Sequence, residues 1–253
     1  MRLAFDRSRL FALWRRATAL AWPVTVQHGF TTLMRTVDIV VAGIFAPAYV
    51  TAIGLADLYG QIPLRLGLGL GAGAIALSSQ DTGRAAQSTR NRAITQAMLL
   101  GFLTGLPLIL LGVLFSEGFI AVLGAEQTVI ELGATYLMLV LAAAPLRIVG
   151  LVGARSLQGT GDTVTPMVVN GGASLFNAIA TLVLALGLGP APRLGIVGIG
   201  LATLLARTVE GVAVTIAIAS RFTDLAFARP RSFLITRQLV AISVPNLAKG
   251  IST

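Results

Sequence analysis

Apolar residues gather into seven long stretches, near 17–43, 50–78, 93–116, 129–154, 164–187, 195–220 and 238–253. A helix needs about 20 mostly apolar residues to cross the hydrocarbon core of a bilayer. Inside lipid only a helix or a closed barrel satisfies its own backbone. The pattern therefore predicts six spanning helices and the start of a seventh, whose apolar run is still open at Ile251-Ser252-Thr253. Turn-like punctuation separates the stretches: Ala46-Pro47-Ala48, Gln80-Asp81-Thr82-Gly83, Ser116-Glu117-Gly118, Gly159-Thr160-Gly161-Asp162 and Gly189-Pro190-Ala191-Pro192.

Composition sharpens the class. The 253 residues are 55% hydrophobic and 11% charged, against roughly 25% charged in a soluble domain. Mean hydropathy is +0.85. Soluble enzymes, disordered regulators and disulfide scaffolds do not fit, and no cysteine is present. Arg15 and Arg16 cut the first apolar run too early for a secretory signal peptide, so residues 1–16 are expected as a basic cytoplasmic segment. The net charge of +9 is explained by topology. Thirteen arginines fall on the N-terminal segment and alternate connections, among them Arg84, Arg90, Arg92, Arg155 and Arg221, and only Arg193 on the opposite ones. Positive residues mark the cytoplasmic side of short loops. The N-terminus is expected inside the cell membrane, and no nucleic acid is needed to account for the charge. The organisation is then 1–16, a six-helix bundle over 17–220, a cytoplasmic connection over 221–237, and the start of a second bundle over 238–253.

Ionisable and polar groups at membrane depth are costly and mark function. Arg35 and Asp38 stand at i, i+3 in the first span and can pair, with Gln27 and His28 two to three turns earlier. Asp57, Gln61 and Arg65 make an i, i+4, i+8 stripe in the second. Arg147 lies in the fourth, Arg207 and Glu210 at i, i+3 in the sixth. Asn170, Asn177 and Thr181 form a polar face of the fifth. A lone His28 completes no metal site, and no nucleophile–base–acid set can be assembled, so the chain is not read as an enzyme. Gly67, Gly69, Gly71 and Gly73 crowd the second span, and Pro23, Pro63, Pro107 and Pro145 fall inside four spans. Close helix approach and bending suit a transporter. At an offset of 221, Gly29-Phe30-Thr31-Thr32 echoes Gly250-Ile251-Ser252-Thr253, as expected where a second repeat begins.

Five blocks in order give the chain a family resemblance: Ala21-Trp22-Pro23, Val37-Asp38-Ile39-Val40-Val41-Ala42-Gly43, Ala52-Ile53-Gly54-Leu55-Ala56, Leu157-Gln158-Gly159-Thr160-Gly161-Asp162-Thr163-Val164-Thr165-Pro166-Met167, and Leu194-Gly195-Ile196-Val197-Gly198-Ile199-Gly200-Leu201-Ala202-Thr203. Together they resemble the multidrug and toxic compound extrusion (MATE) family, in particular its DinF-like prokaryotic branch. The resemblance implies an all-α polytopic fold of two six-helix lobes about a central cavity, of which the chain holds one lobe and the start of the next. It also implies export of cationic or amphipathic small molecules by alternating access, coupled to inward H+ or Na+, with no further cofactor and no protein partner beyond the second lobe.

By the same resemblance the coupling ion is taken by Asp38, Asn177 and Thr203. Thr181 stands where the family pattern has a second acid. Neutral oxygens from Asn177, Thr181 and Thr203 beside Asp38 suit Na+, while proton coupling stays open. Arg35 beside Asp38 favours the ionised carboxylate, and Asp38 is expected to exchange its ion for Arg35 or for a cationic substrate. Gln27, Arg35, Asp57, Gln61, Arg65, Asn170, Arg207 and Glu210 are the expected cavity or modulating residues. Two alternatives remain: a lipid-linked precursor flippase of the same superfamily, for which Arg35, Arg65, Arg147 and Arg207 would supply the positive cavity, and a non-transporting half-size remnant.

Overall fold

The structure, a computed structural model, describes residues 7–83, 87–220 and 223–229. Eight helices follow one another: α1 (Arg7–Phe45), α2 (Pro47–Gly60), α3 (Ile62–Gly83), α4 (Gln87–Ala121), α5 (Gln127–Ala142), α6 (Ala144–Gly159), α7 (Val164–Leu186) and α8 (Ile196–Ala219). The fold is all-α, and the eight helices fall on the six stretches expected as spans, because two of those stretches are divided. The second divides at Gln61 into α2 and α3, and the fourth at Ala143 into α5 and α6 with a bend of 50°. Prolines cause both breaks. Pro63 and Pro145 lie in the first turns of α3 and α6, where a missing N–H is tolerated but the preceding helix cannot continue.

Among the described residues, α4, α7 and α8 are each long and apolar enough to cross a membrane, and the bent α5–α6 pair makes a fourth such span. Two sequence expectations need correction. Residues 80–83 and 116–118, read as turns, are helical, because α3 runs to Gly83 and α4 to Ala121. The turn after α4 is made at Gly124, whose φ of +74° suits glycine. The seventh span, the echo at 250–253 and most of the 221–237 connection lie outside the described residues.

Helix α6 is the centre of the bundle, packed against α3, α4 and α8. Ile94, Leu137, Leu141, Ile148, Val152, Ile199 and Val214 form the buried core around it. Glycine decides how closely the helices approach. A Cβ on Gly105 of α4 would stand 2.4 Å from Pro145 Cα, and one on Gly211 of α8 would stand 2.3 Å from the Leu146 carbonyl oxygen. The glycines of α3 have the same role. Cβ atoms at Gly67 and Gly71 would meet Leu151 at 2.6 Å and Arg155 at 2.8 Å, so bare backbone receives the side chains of α6. Large apolar side chains such as Leu110, Val113, Leu114 and Phe115 of α4 are exposed on the outer surface, as lipid-facing positions require.

Candidate functional site

Helix α1 presents Gln27, Thr31, Met34 and Asp38 on one stripe, at steps of four, three and four residues. Asp38 is 4% exposed. Thr181 Oγ1 donates to Asp38 Oδ1 at 2.7 Å. With the Asn177 amide turned so that both its ends are paired, Nδ2 donates to Asp38 Oδ1 and Oδ1 accepts from the Thr203 N–H, each at 3.1 Å. In the opposite orientation Nδ2 donates to Thr203 Oγ1 at 3.3 Å, and Oδ1 stands beside Asp38, 3.5 Å from Thr181 Oγ1. The four residues expected to act together, Asp38, Asn177, Thr181 and Thr203, therefore meet where α1, α7 and α8 converge. Asn177 and Thr181 are fully enclosed. No basic side chain among the described residues pairs with Asp38.

A second polar system lies along the same stripe. Arg207 Nη1 and Glu210 Oε2 are 2.8 Å apart, with both side chains less than a tenth exposed. Asn170 Nδ2 donates to Glu210 Oε1 at 2.8 Å, and Thr31 Oγ1 donates to Asn170 Oδ1 at 3.1 Å. The expected Arg207–Glu210 pair is thus present, tied to α7 and α1 through Asn170 and Thr31.

The expected Arg35–Asp38 pair is absent. Arg35 instead pairs with Asp57 of α2, and both side chains are partly open to solvent, at 46% and 30%. The reason is geometric: Asp38 turns toward α7 and is buried, whereas Asp57 faces Arg35 across a wetter gap. The expected stripe through Asp57, Gln61 and Arg65 reaches the cavity only in part. Gln61 and Asp57 line the cavity described next; Arg65 is exposed and does not.

All these elements surround one cavity of about 250 Å³. It is lined by Gln27, His28, Thr31, Arg35 and Asp38 of α1, Asp57 and Gln61 at the first break, and Asn170, Thr203, Arg207 and Glu210 of α7 and α8. Arg147 of α6, expected in the cavity wall only under the flippase alternative, also lines it, as do Tyr136 of α5 and Arg155 and Gln158 of α6, which the sequence reading did not place there. Arg155 was counted among the loop arginines, but α6 continues to Gly159 and puts it on the helix. The spacing was a usable signal, since 147, 151, 155 and 158 repeat at four, four and three and form one stripe. Arg90 and Arg92 are likewise helical, on α4. Among the described residues no three His, Cys, Asp or Glu side chains gather. The Asp38 cluster, one carboxylate with neutral oxygens, is instead chemistry for a proton or a hard monovalent cation.

Two of the sequence blocks serve the architecture. Gly161 takes φ +92°, and Asp162 Oδ1 accepts the Thr165 N–H at 2.9 Å, so Gly-Asp-Thr closes α6 and caps α7. Gly198 lies so close to α7 that a Cβ would be 2.6 Å from the Leu184 carbonyl.

Known proteins share this fold. A family model described as MatE matches residues 23–183. An FAD transporter of Shewanella oneidensis is 39% identical over 108 residues, 43% of this chain and 24% of that protein. A probable multidrug resistance protein NorM of Photorhabdus laumondii is 25% identical over 209 residues, 81% of this chain and 46% of that protein. Among solved structures, a MOP superfamily transporter from Pyrococcus furiosus, described as having a binding pocket of reverse polarity that suggests a different function, superposes with a TM-score of 0.86 at 21% identity. That superposition covers 94% of this chain and 52% of the other. The chain spans less than half the length of these curated relatives and about half of that solved structure. This chain belongs to the MatE family, the multidrug and toxic compound extrusion proteins, which are membrane transporters and not enzymes.

Proposed function

We propose that this chain forms the six-helix lobe, residues 17–220, of a secondary active antiporter of the inner membrane, with its N-terminus cytoplasmic. It exports amphipathic small molecules by alternating access and takes its coupling ion at Asp38, Asn177, Thr181 and Thr203, as in the DinF-like branch. One observation carries the reading. Asp38 is a buried carboxylate with hydrogen-bond donors but no ion-paired basic side chain among the described residues, and burying an unpaired charge is costly. A proton or Na+ relieves that cost, and in low dielectric the difference is large enough to bias a conformational equilibrium.

The Asn177 amide, with Nδ2 on Asp38 Oδ1, serves an ion-free carboxylate. Arg35 is held by Asp57, so the competitor for the ion is not that arginine. With Arg155 set aside as a cavity residue, twelve arginines against Arg193 still favour the cytoplasmic side for the N-terminus. The names of the similar proteins, an FAD transporter and a probable multidrug resistance protein, support an amphipathic aromatic substrate. A lipid-linked precursor flippase is the second reading, favoured by the arginines of α6 in the cavity wall.

The test is gradient-driven export from vesicles carrying the full-length protein, with ethidium and FAD as probes. Asp38→Asn is expected to abolish export under both H+ and Na+ gradients while protein levels in the membrane are maintained. Export at the wild-type rate by that variant removes Asp38 from the mechanism. Stimulation by only one of the two gradients identifies the ion.

A further inference from the structure

From the charges in the cavity wall, we infer that the lobe binds its substrate by an anionic group of the phosphate or diphosphate class, held by Arg147 and Arg155. The inference rests on the export reading above and names the chemistry of its substrate. Among the described residues four arginines line the cavity, Arg35, Arg147, Arg155 and Arg207, against three carboxylates, Asp38, Asp57 and Glu210. Two of the acids are spent on two of the arginines, in the Arg35–Asp57 and Arg207–Glu210 pairs. Asp38 faces Thr181 and Asn177.

Neither guanidinium group of α6 forms an ion pair with an acid among the described residues. Arg147 has no hydrogen-bond or ion-pair partner among the described residues. The hydrogen bond that Arg155 makes is to the neutral Gln158 Oε1, at 3.1 Å. A proton or Na+ at Asp38 makes the wall more positive still. A cationic substrate would therefore enter a cavity whose free charges repel it.

The shape of the site narrows the anion. Arg147 and Arg155 are eight residues apart on one face of α6, about 12 Å along the axis. Each presents a planar fork that matches two oxygens. A single carboxylate satisfies one fork, whereas a diphosphate offers oxygens to both. Ile53, Leu64, Leu68, Val140 and Leu151 supply apolar wall beside the arginines, so the ligand carries an apolar or aromatic body. A volume of about 250 Å³ is below the roughly 300–1,000 Å³ of drug-sized pockets, which suits a head group with its body reaching beyond the lobe. Gly71 makes room for the stem of Arg155, because a Cβ there would stand 2.8 Å from Arg155 Cγ.

The experiment compares ligands that share a body and differ in charge. FAD and riboflavin carry the same ring system; only FAD has the diphosphate. Their binding to the purified full-length protein in detergent is followed by flavin fluorescence, with ethidium as the cationic probe. FAD is expected to bind at least tenfold more tightly than riboflavin and ethidium, the effect of a charge-assisted hydrogen bond or more. Inorganic pyrophosphate is expected to displace FAD and leave riboflavin bound, a result that needs no variant. Arg147→Gln with Arg155→Gln is expected to bring FAD down to the riboflavin level, and Arg147→Lys with Arg155→Lys to recover part of the preference.

Equal affinities in the wild type, failure of pyrophosphate to compete, or an FAD preference unchanged in the double glutamine variant would each overturn the inference. Farnesyl diphosphate against farnesol distinguishes the sources. Displacement of FAD by the diphosphate at lower concentration than FAD itself assigns the anion to a lipid, and weaker displacement assigns it to a soluble molecule. Asp38→Asn separates this inference from the coupling role. That variant is expected to bind FAD at least as tightly as wild type while losing gradient-driven export. Anion preference with undiminished export by Asp38→Asn would overturn the coupling role alone, and lost preference with intact coupling would overturn the anion site alone.

Discussion

The buried Arg207–Glu210 pair permits a quantitative test of how the bundle tolerates charge. In Glu210→Gln the shape is kept and Oε1 still accepts from Asn170, but the carboxylate 2.8 Å from Arg207 loses its charge. Arg207 would then be a buried cation with no ion-pair partner among the described residues. Its Nε–H already has no partner among the described residues, and Arg147 lines the same cavity. Removing one member of a buried pair costs about 3–5 kcal/mol, whereas replacing both by neutral groups is often close to free. Arg207→Met in the Glu210→Gln background is therefore expected to recover most of the loss, because Asn170 keeps its acceptor and no lone charge remains. At about 2–4 °C per kcal/mol for a chain of this size, the single variant should unfold roughly 6–20 °C below wild type. The double variant should lie within about 4 °C of wild type by the same conversion. Thermal unfolding of the purified variants in one detergent reads both numbers. The reasoning is refuted if Glu210→Gln unfolds at the wild-type temperature, or if the double variant is as damaged as the single one.

Four further outcomes follow from contacts elsewhere. Gly105→Ala should destabilise by about 1–3 kcal/mol, because its Cβ meets the backbone of Pro145; Gly54→Ala, with nothing within 4 Å of the added Cβ, should gain about 0.5–1 kcal/mol, and the same melting assay reads both. Arg35→Gln should shift stability by less than about 1 kcal/mol, since its pair with Asp57 is partly exposed; a loss above about 3 kcal/mol would show that this pair behaves as a buried one. Thr181→Val should reduce gradient-driven export at least tenfold, as expected on losing a hydrogen bond to a charged group, while Thr181→Ser restores it; equal export by both variants would separate the hydroxyl from coupling. Finally, the Ala228 N–H donates to Thr95 Oγ1 at 3.0 Å, and Leu225 is buried at 2% exposure. Thr95→Val should therefore speed amide exchange around Ala228 without affecting the middle of α8, as hydrogen-exchange mass spectrometry would show.

The extent to which sequence reached the structure depended on how many helices each feature required. Apolar stretches were legible because apolar length is a property of one segment, whereas of the four prolines expected to bend spans Pro63 and Pro145 mark breaks and Pro23 and Pro107 lie inside the continuous α1 and α4. The exact ends were not legible, since Glu117 and Asp81 look like turn residues yet lie on helices that run on past the apolar core. The Asp38 cluster was assembled through a family pattern; spacing alone does not bring positions 38, 177, 181 and 203 together. Arg155 was missed because a cation near the end of an apolar run reads as a topology signal, and only the register of α6 turns it inward. The pairings show the limit most clearly. Arg35–Asp38 and Arg207–Glu210 have the same i, i+3 spacing, and in isolation both favour a pair of similar small worth. The outcome is decided by the neighbours. Asn170 of α7 holds Glu210 in place beside Arg207, whereas Asp57 of α2 offers Arg35 a partner in a wetter setting. Released from Arg35, Asp38 is left to Thr181 and Asn177. The unpaired carboxylate on which the proposed ion coupling rests is thus left by an acid on a different helix.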